Sequence, residues 1–205
     1  MRINLTKPSH VIFFIVIIPG LSVLVVYMLN YLLHGLAKEW YFPLIDNLGF
    51  VGAYATLFAS FNLYFWKLPM FRRFGIVCFP NLHGRWRGEV ISSYDNQKRT
   101  AFLEIRQTYF GINIDMYCQK SMSTSKMADF VKTDNDQLEL HYQYLNEPNE
   151  SAKKTMNIHY GTARLCYFEN KNTLEGSYYN ANKHDRGHTG SLKFRLKGME
   201  LLKRY

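Results

Sequence analysis

The 205-residue sequence is poor in the groups that most chemistry requires. Its three cysteines, Cys78, Cys118 and Cys166, form no C-x-x-C pair and no Cys/His metal spacing. An odd, widely spaced set excludes a disulfide scaffold and a zinc knot, and reads as free, buried or neutral thiols of a reducing compartment. No G-x-S-x-G, H-E-x-x-H, P-loop or G-x-G-x-x-G occurs. Asp134, Asp136 and Glu139 fall in a turn and on a polar face without the pairing that acid/base work needs. His184 and His188 have a metal-ligand spacing on a helix, but His184-Asp185-Arg186-Gly187-His188 lies in a Gly- and Asn-rich turn and reads as a solvated basic loop. The expectation is therefore a non-enzyme without catalytic residues, metal or cofactor.

Charge is missing from one long stretch. Between residues 11 and 66 the only formal charges are Lys38, Glu39 and Asp46, so the near-neutral mean hydropathy of −0.22 conceals a strong asymmetry. Val11 to Leu33 is an uncharged run, VIFFIVIIPGLSVLVVYMLNYLL, long enough to cross a bilayer and kinked at Pro19-Gly20. It is too long for the apolar region of a signal peptide and lacks a small-residue cleavage site. A second span runs from about Leu48 to Trp66. Trp40, Tyr41 and Phe42 at one end and Tyr64, Phe65 and Trp66 at the other have the character of interfacial belts. Arg2 and Lys7 precede the first span, and Lys67, Arg72 and Arg73 follow the second. The positive-inside rule then gives a multi-pass inner-membrane protein with both termini in the cytoplasm. Gly52, Thr56 and Ser60 recur every four residues and form a small-residue ridge. Such a ridge serves either the packing of the chain's own two helices or self-association, with Asn62 or Asn30 adding an interhelical hydrogen bond.

Residues 67–205 hold 22 of the 25 Lys/Arg against 14 of the 16 Asp/Glu, a surplus of eight positive charges that favours anionic partners. Here the periodicity changes to two. Residues 84–94, 100–109, 112–119, 128–133, 137–145, 155–168, 173–180 and 190–197 alternate apolar and polar side chains, with Gly, Asn, Asp and Pro between them. No helix beyond two turns is needed after residue 80. The reading is a membrane-anchored all-β protein: a two-helix transmembrane region (1–67), a linker (68–80) and an eight-stranded, lipocalin-like antiparallel β-barrel (81–205). Trp86, within Gly84-x-Trp86-x-Gly88, closes the interior floor. Leu138, Leu140, Tyr142 and Tyr144 share one face, as do Leu174, Gly176, Tyr178 and Asn180, and Gly190, Leu192, Phe194 and Leu196. A lumen floored with Leu and opening into Tyr suits a planar aromatic ring.

The order of these features resembles a known family. Two N-terminal membrane helices precede Gly84-Arg85-Trp86-Arg87-Gly88, Leu140-x-Tyr142-x-Tyr144-Leu145-Asn146-x-Pro148, His159-x-Gly161, Leu174-x-Gly176-x-Tyr178-Tyr179 and Thr189-Gly190. The pattern, over essentially the whole chain, is similar to the two-transmembrane, β-strand-rich effectors of cyclic-oligonucleotide-based anti-phage signalling systems (CBASS). The resemblance implies that a partner nucleotidyltransferase (CD-NTase) makes a cyclic dinucleotide and that the barrel binds it. The chain then oligomerises through its membrane helices, and the breached inner membrane kills the infected cell. The expected partners are the cyclic dinucleotide, further copies of the chain and membrane lipid, with no nucleic-acid polymer. Tyr142, Tyr144 and Tyr178 are the candidates for base stacking, Arg87, Arg106 and Arg195 for phosphate, and Thr189 for a hydroxyl contact. Period-two alternation puts Arg87 and Arg195 opposite the lumen face, so they reach a lumen ligand only near a rim or bulge. A non-toxic, membrane-anchored lipocalin-like binder of an apolar ligand is the alternative.

Overall fold

A computed structural model describes residues 8–33, 42–135, 137–154, 156–180 and 187–202. Arg2, Lys7, Lys38, Glu39, Trp40, Tyr41, Asp136, Thr155 and His184 to Arg186, and the side chain of Asp46, lie outside the described residues. The chain forms two compact units. One takes in the segment up to Cys78 together with Thr108–Phe110, and the other takes in Phe79–Gln107 and Gly111 onward.

In the first unit α1 (Pro8–Val11), a π-helical turn (Ile12–Ile17) and α2 (Ile18–Leu33) follow one another directly. The π turn is where Pro19 makes itself felt. Proline cannot donate to the preceding turn, and the wide turn before it lets the Ile18 amide donate to Phe13 O, five residues back. Ser22 Oγ adds a bond to Ile18 O at 2.8 Å. Ser9–Leu32, 24 residues of mean hydropathy 2.8, is long and apolar enough to cross a membrane. The second helix, α3 (Phe42–Leu63), starts earlier and stops earlier than the span read from Leu48 to Trp66. Pro69 pulls Leu68 into an extended conformation, and the last residues before it tighten into a 3-10 turn (Phe65–Lys67) leading to α4 (Pro69–Arg73). Of the aromatics at that end, Tyr64 and Phe65 are exposed but Trp66 is buried, so Trp66 does not join a belt.

Phe13, Phe14 and Phe61 form the buried centre of this unit, with Phe13 and Phe61 ring centroids 4.7 Å apart. Asn62, one of the two asparagines expected to offer an interhelical bond, receives the Tyr109 amide on its carbonyl at 2.9 Å and the Phe110 amide on Oδ1 at 3.1 Å.

The second unit is a closed eight-stranded antiparallel barrel in which every strand pairs with its neighbours in sequence and β8 returns to β1. Its strands are β1 (Gly84–Ser92), β2 (Lys98–Gln107), β3 (Ile112–Cys118), β4 (Ser121–Lys132), β5 (Leu138–Pro148), β6 (His159–Phe168), β7 (Thr173–Asn180) and β8 (His188–Gly198). β4 starts seven residues before the apolar alternation at Ala128 reveals it. A bulge between Ser125 and Met127 shifts its register, so Ser123, Ser125, Ala128 and Phe130 all fall on the lumen face. Ser125 Oγ accepts the Ile114 amide at 2.9 Å, which replaces a ladder bond lost beside the bulge.

Candidate ligand site in the barrel

The lumen has two unlike halves. At the end where the chain enters, Leu82, Trp86, Leu103, Ile105, Ile114, Leu140, Leu165, Leu174 and Phe194 are all below 2% exposed, a packed plug. Trp86 Nε1 donates to Leu82 O at 3.0 Å, and its indole meets the Tyr167 ring edge-on at 6.1 Å. Gln107 clamps the entry by accepting the Leu82 amide at 2.7 Å and donating to Pro80 O at 3.0 Å.

At the other end the lining turns aromatic and polar. Tyr142 and Tyr144, adjacent on the lumen face of β5, are buried with ring centroids 6.0 Å apart. Tyr178 enters from β7, half-buried against the same core. Two cross-strand glycines make room for these rings, because a Cβ at Gly161 or Gly190 would stand 2.3 Å from Tyr144 or Tyr178 respectively. Burial pushes the Tyr142 and Tyr144 hydroxyls well above the usual tyrosine range, each reinforced by neighbouring groups, so both stay protonated. Burial likewise pushes the Cys118 thiol beside them up to about 11.

Beyond the tyrosines lies a collar of hydrogen bonds. Ser123 Oγ donates to Asn146 Oδ1 at 2.8 Å, both side chains buried. Asn180 Nδ2 lies 3.2 Å from His159 Nε2 while its Oδ1 receives the His188 amide at 2.8 Å. His159 Nδ1 lies 3.0 Å from Asn157 O, which assigns the proton to Nδ1 and leaves Nε2 to accept from Asn180. Arg99, at the start of β2, alternates onto the lumen side of this end. Its Nη1 donates to Asp95 Oδ1 at 3.1 Å, and the pairing holds the Asp95 carboxyl below the usual range.

The candidates read from the sequence therefore divide. Tyr142, Tyr144 and Tyr178 share one lumen half. The cations do not join them: Arg87 and Arg195 are exposed on the outer wall as a directly opposed pair, and Arg106 bonds Asp115 there at 2.6 Å. Thr189 is exposed at the rim, where its backbone is bonded by Ser93. Arg99 lies just outside the second strand as read from the sequence, which starts at Thr100. Its signal is the alternation Arg99, Ala101, Leu103, Ile105, which carries the lumen face one residue further out. Ser123 lies in the first half of β4, which the apolar alternation does not reveal.

Residues 77–196, more than half of the chain, match the family model described as "Cap15, cyclic dinucleotide receptor domain". A curated relative, the CD-NTase-associated protein 15 of Staphylococcus schleiferi, is 25% identical over 142 residues, 68% of this chain and 75% of that protein.

Proposed function

The chain belongs to the family of the Cap15 cyclic dinucleotide receptor domain and is a CBASS effector, and from that premise we propose that the aromatic half of its lumen binds a cyclic dinucleotide made by a partner CD-NTase. The observation that carries this reading is the division of the barrel into an apolar plug and an aromatic, hydrogen-bonding half. Bases stack on Tyr142, Tyr144 or Tyr178, each stack contributing about 1–3 kcal/mol. Protonated tyrosine hydroxyls and the Ser123, Asn146 and Asn180 side chains offer donors and acceptors to base edges. Arg99 meets a phosphate by exchanging Asp95 for it, since the planar guanidinium fork fits both anions. This replaces the outer-wall arginines as the phosphate partner inside the barrel.

The same reading extends to the outcome. The chain sits in the inner membrane with two spans and both termini in the cytoplasm, where its messenger is made. Ligand favours the self-associated form by its differential affinity for the two states. Chains then pack along Gly52, Thr56 and Ser60 and disrupt the bilayer. Supporting this, a Cβ at Gly52 meets nothing within 4 Å, whereas Gly49 faces Val26 of α2 at 3.8 Å, so the chain's own helix pair uses Gly49 and leaves Gly52 open.

The test is co-expression with a nucleotidyltransferase that produces cyclic dinucleotides, read by dye entry and viable count. Dye entry and loss of viability only when both proteins are active are expected. Unchanged viability at confirmed expression, across enzymes making different cyclic dinucleotides, contradicts the effector reading.

A further inference from the structure

On the outer wall of the barrel, Arg87 of β1 stands directly opposite Arg195 of β8. Like charges facing each other across a ladder repel, and among the described residues neither arginine forms an ion pair. More cations gather around them. A depression of about 310 Å³ is lined by Arg87, Arg195, Lys171, Lys193, Thr173 and Glu175. Its one carboxylate is already engaged, with Lys193 Nζ at 3.0 Å from Glu175 and the Glu175 carboxyl held below its usual range by that ammonium. Arg87 and Arg195 are left in surplus, while Lys171 also acts on the Glu175 carboxylate from a distance. Lys197 adds a further cation nearby, its Nζ and the Arg87 guanidinium lying 5.9 and 6.0 Å from the same Phe102 ring.

Repulsion gathered around a hollow is relieved when an anion occupies it. We propose that this depression binds the phosphate of an anionic phospholipid headgroup, with Arg87 and Arg195 as its two forks and Lys171 and Thr173 at its edge. Two observations favour lipid over a soluble phosphate. The chain carries a 24-residue segment able to cross a bilayer. The cations gather at one end of the barrel, since Lys171 lies in the turn that starts β7, and Arg195 and Lys197 close β8 beside the first residues of β1. Cations so placed in a membrane protein are drawn to anionic leaflets. The site is on the wall opposite to the lumen face and is independent of the cyclic dinucleotide reading.

The experiment uses the full chain in neutral detergent, with bound lipid counted by native mass spectrometry and thermal melting followed in parallel. The probes are dioctanoylphosphatidylglycerol, dioctanoylphosphatidylcholine and inorganic phosphate. Wild type is expected to bind the glycerol lipid at least about tenfold more tightly than the choline lipid, whose own cation meets the surplus charge. Arg87→Gln/Arg195→Gln is expected to bind it roughly 30-fold more weakly, and to melt at or above the wild-type temperature in its absence because the repulsion is gone. A control, Lys126→Gln at the β4 bulge, is expected to bind as wild type does. Equal affinity in the double variant, an equal loss in the control, or no preference for the glycerol lipid overturns the proposal. Inorganic phosphate binding as tightly as the glycerol lipid overturns its assignment to lipid.

Discussion

Tyr144 and Gly161 face each other across the β5–β6 ladder, and a methyl group at Gly161 would come within 2.3 Å of the Tyr144 hydroxyl. All three of its nearest atoms belong to that side chain, so Gly161→Ala displaces a ring and leaves the backbone in place. Overpacking of this kind costs about 1–3 kcal/mol. We predict a Gly161→Ala variant that folds, melts somewhat lower and binds cyclic dinucleotide at least about tenfold more weakly. Gly176→Ala is different, because its methyl group meets Arg164 O at 1.9 Å and only the β6–β7 ladder itself can move. Its thermal transition falls further than that of Gly161→Ala. Melting temperatures measured side by side, with Gly176→Ala the lower of the two, check the geometry.

A second prediction concerns the charged pair beneath the C-terminal residues. Arg85 and Glu104 are 5% and 0% exposed and hydrogen-bonded to each other, and the Leu202 amide donates to Glu104 Oε1 at 2.9 Å. Removing one partner of a buried pair strands the other charge and costs about 3–5 kcal/mol. Glu104→Ala should lower unfolding free energy by that amount. Glu89→Ala, which removes only an exposed contact to Lys98 at 3.5 Å, should cost under about 1 kcal/mol. Denaturant titration of the two variants separates the cases.

The thiols give a third. Cys78 is exposed, while Cys118 lies in the lumen with its pKa raised from the usual 9.0 to about 11. Iodoacetamide at pH 8 should modify Cys78 first and Cys118 slowly, since the thiolate is the nucleophile. The sign of the pH dependence follows from the same shift. Between pH 9 and 11 the folded chain keeps a proton that the unfolded chain releases, so the contribution is complete below about pH 9 and lost as pH rises through 11. Tyr142 and Tyr144 act in the same direction at higher pH. Cys118→Ala should flatten the early part of the decline in alkaline melting curves.

What could be read from the chain itself was the part in which side chains repeat. β7 matches its sequence reading residue for residue, and the alternation of β5 placed Tyr142 and Tyr144 on the lumen face. The first half of β4 was illegible because Ser121 to Lys126 has no apolar alternation. Its lumen positions are serines that bond Asn146 and the Ile114 amide, and the bulge then flips the parity. The outer-wall position of Arg87 and Arg195 was legible from the same period of two. Their direct opposition was not, because register between the first and last strands depends on the barrel closing. The bonds that Asn62 accepts were illegible for a related reason: their donors, Tyr109 and Phe110, lie 47 and 48 residues away along the chain.

The membrane ridge supplies a fourth prediction. Polar contacts between helices in lipid contribute only about 0.6–2 kcal/mol each, so close approach at small residues must supply the rest. Leu at Gly52 fills the open space beside that residue and should abolish ligand-dependent crosslinking and killing, with affinity for cyclic dinucleotide unchanged. Full killing by Gly52→Leu and Ser60→Leu variants that crosslink only as monomers would make the helices passive anchors.

The most direct measurement is calorimetric titration of the full chain in neutral detergent with a panel of cyclic dinucleotides and, in parallel, a fatty acid. The account predicts saturable binding of at least one cyclic dinucleotide and none of the fatty acid. It further predicts roughly tenfold or greater weakening in Tyr144→Ala and Tyr178→Ala chains, each stack being worth about 1–3 kcal/mol. Fatty acid binding without any cyclic dinucleotide, or wild-type affinity in both tyrosine variants at unchanged fold, would contradict it.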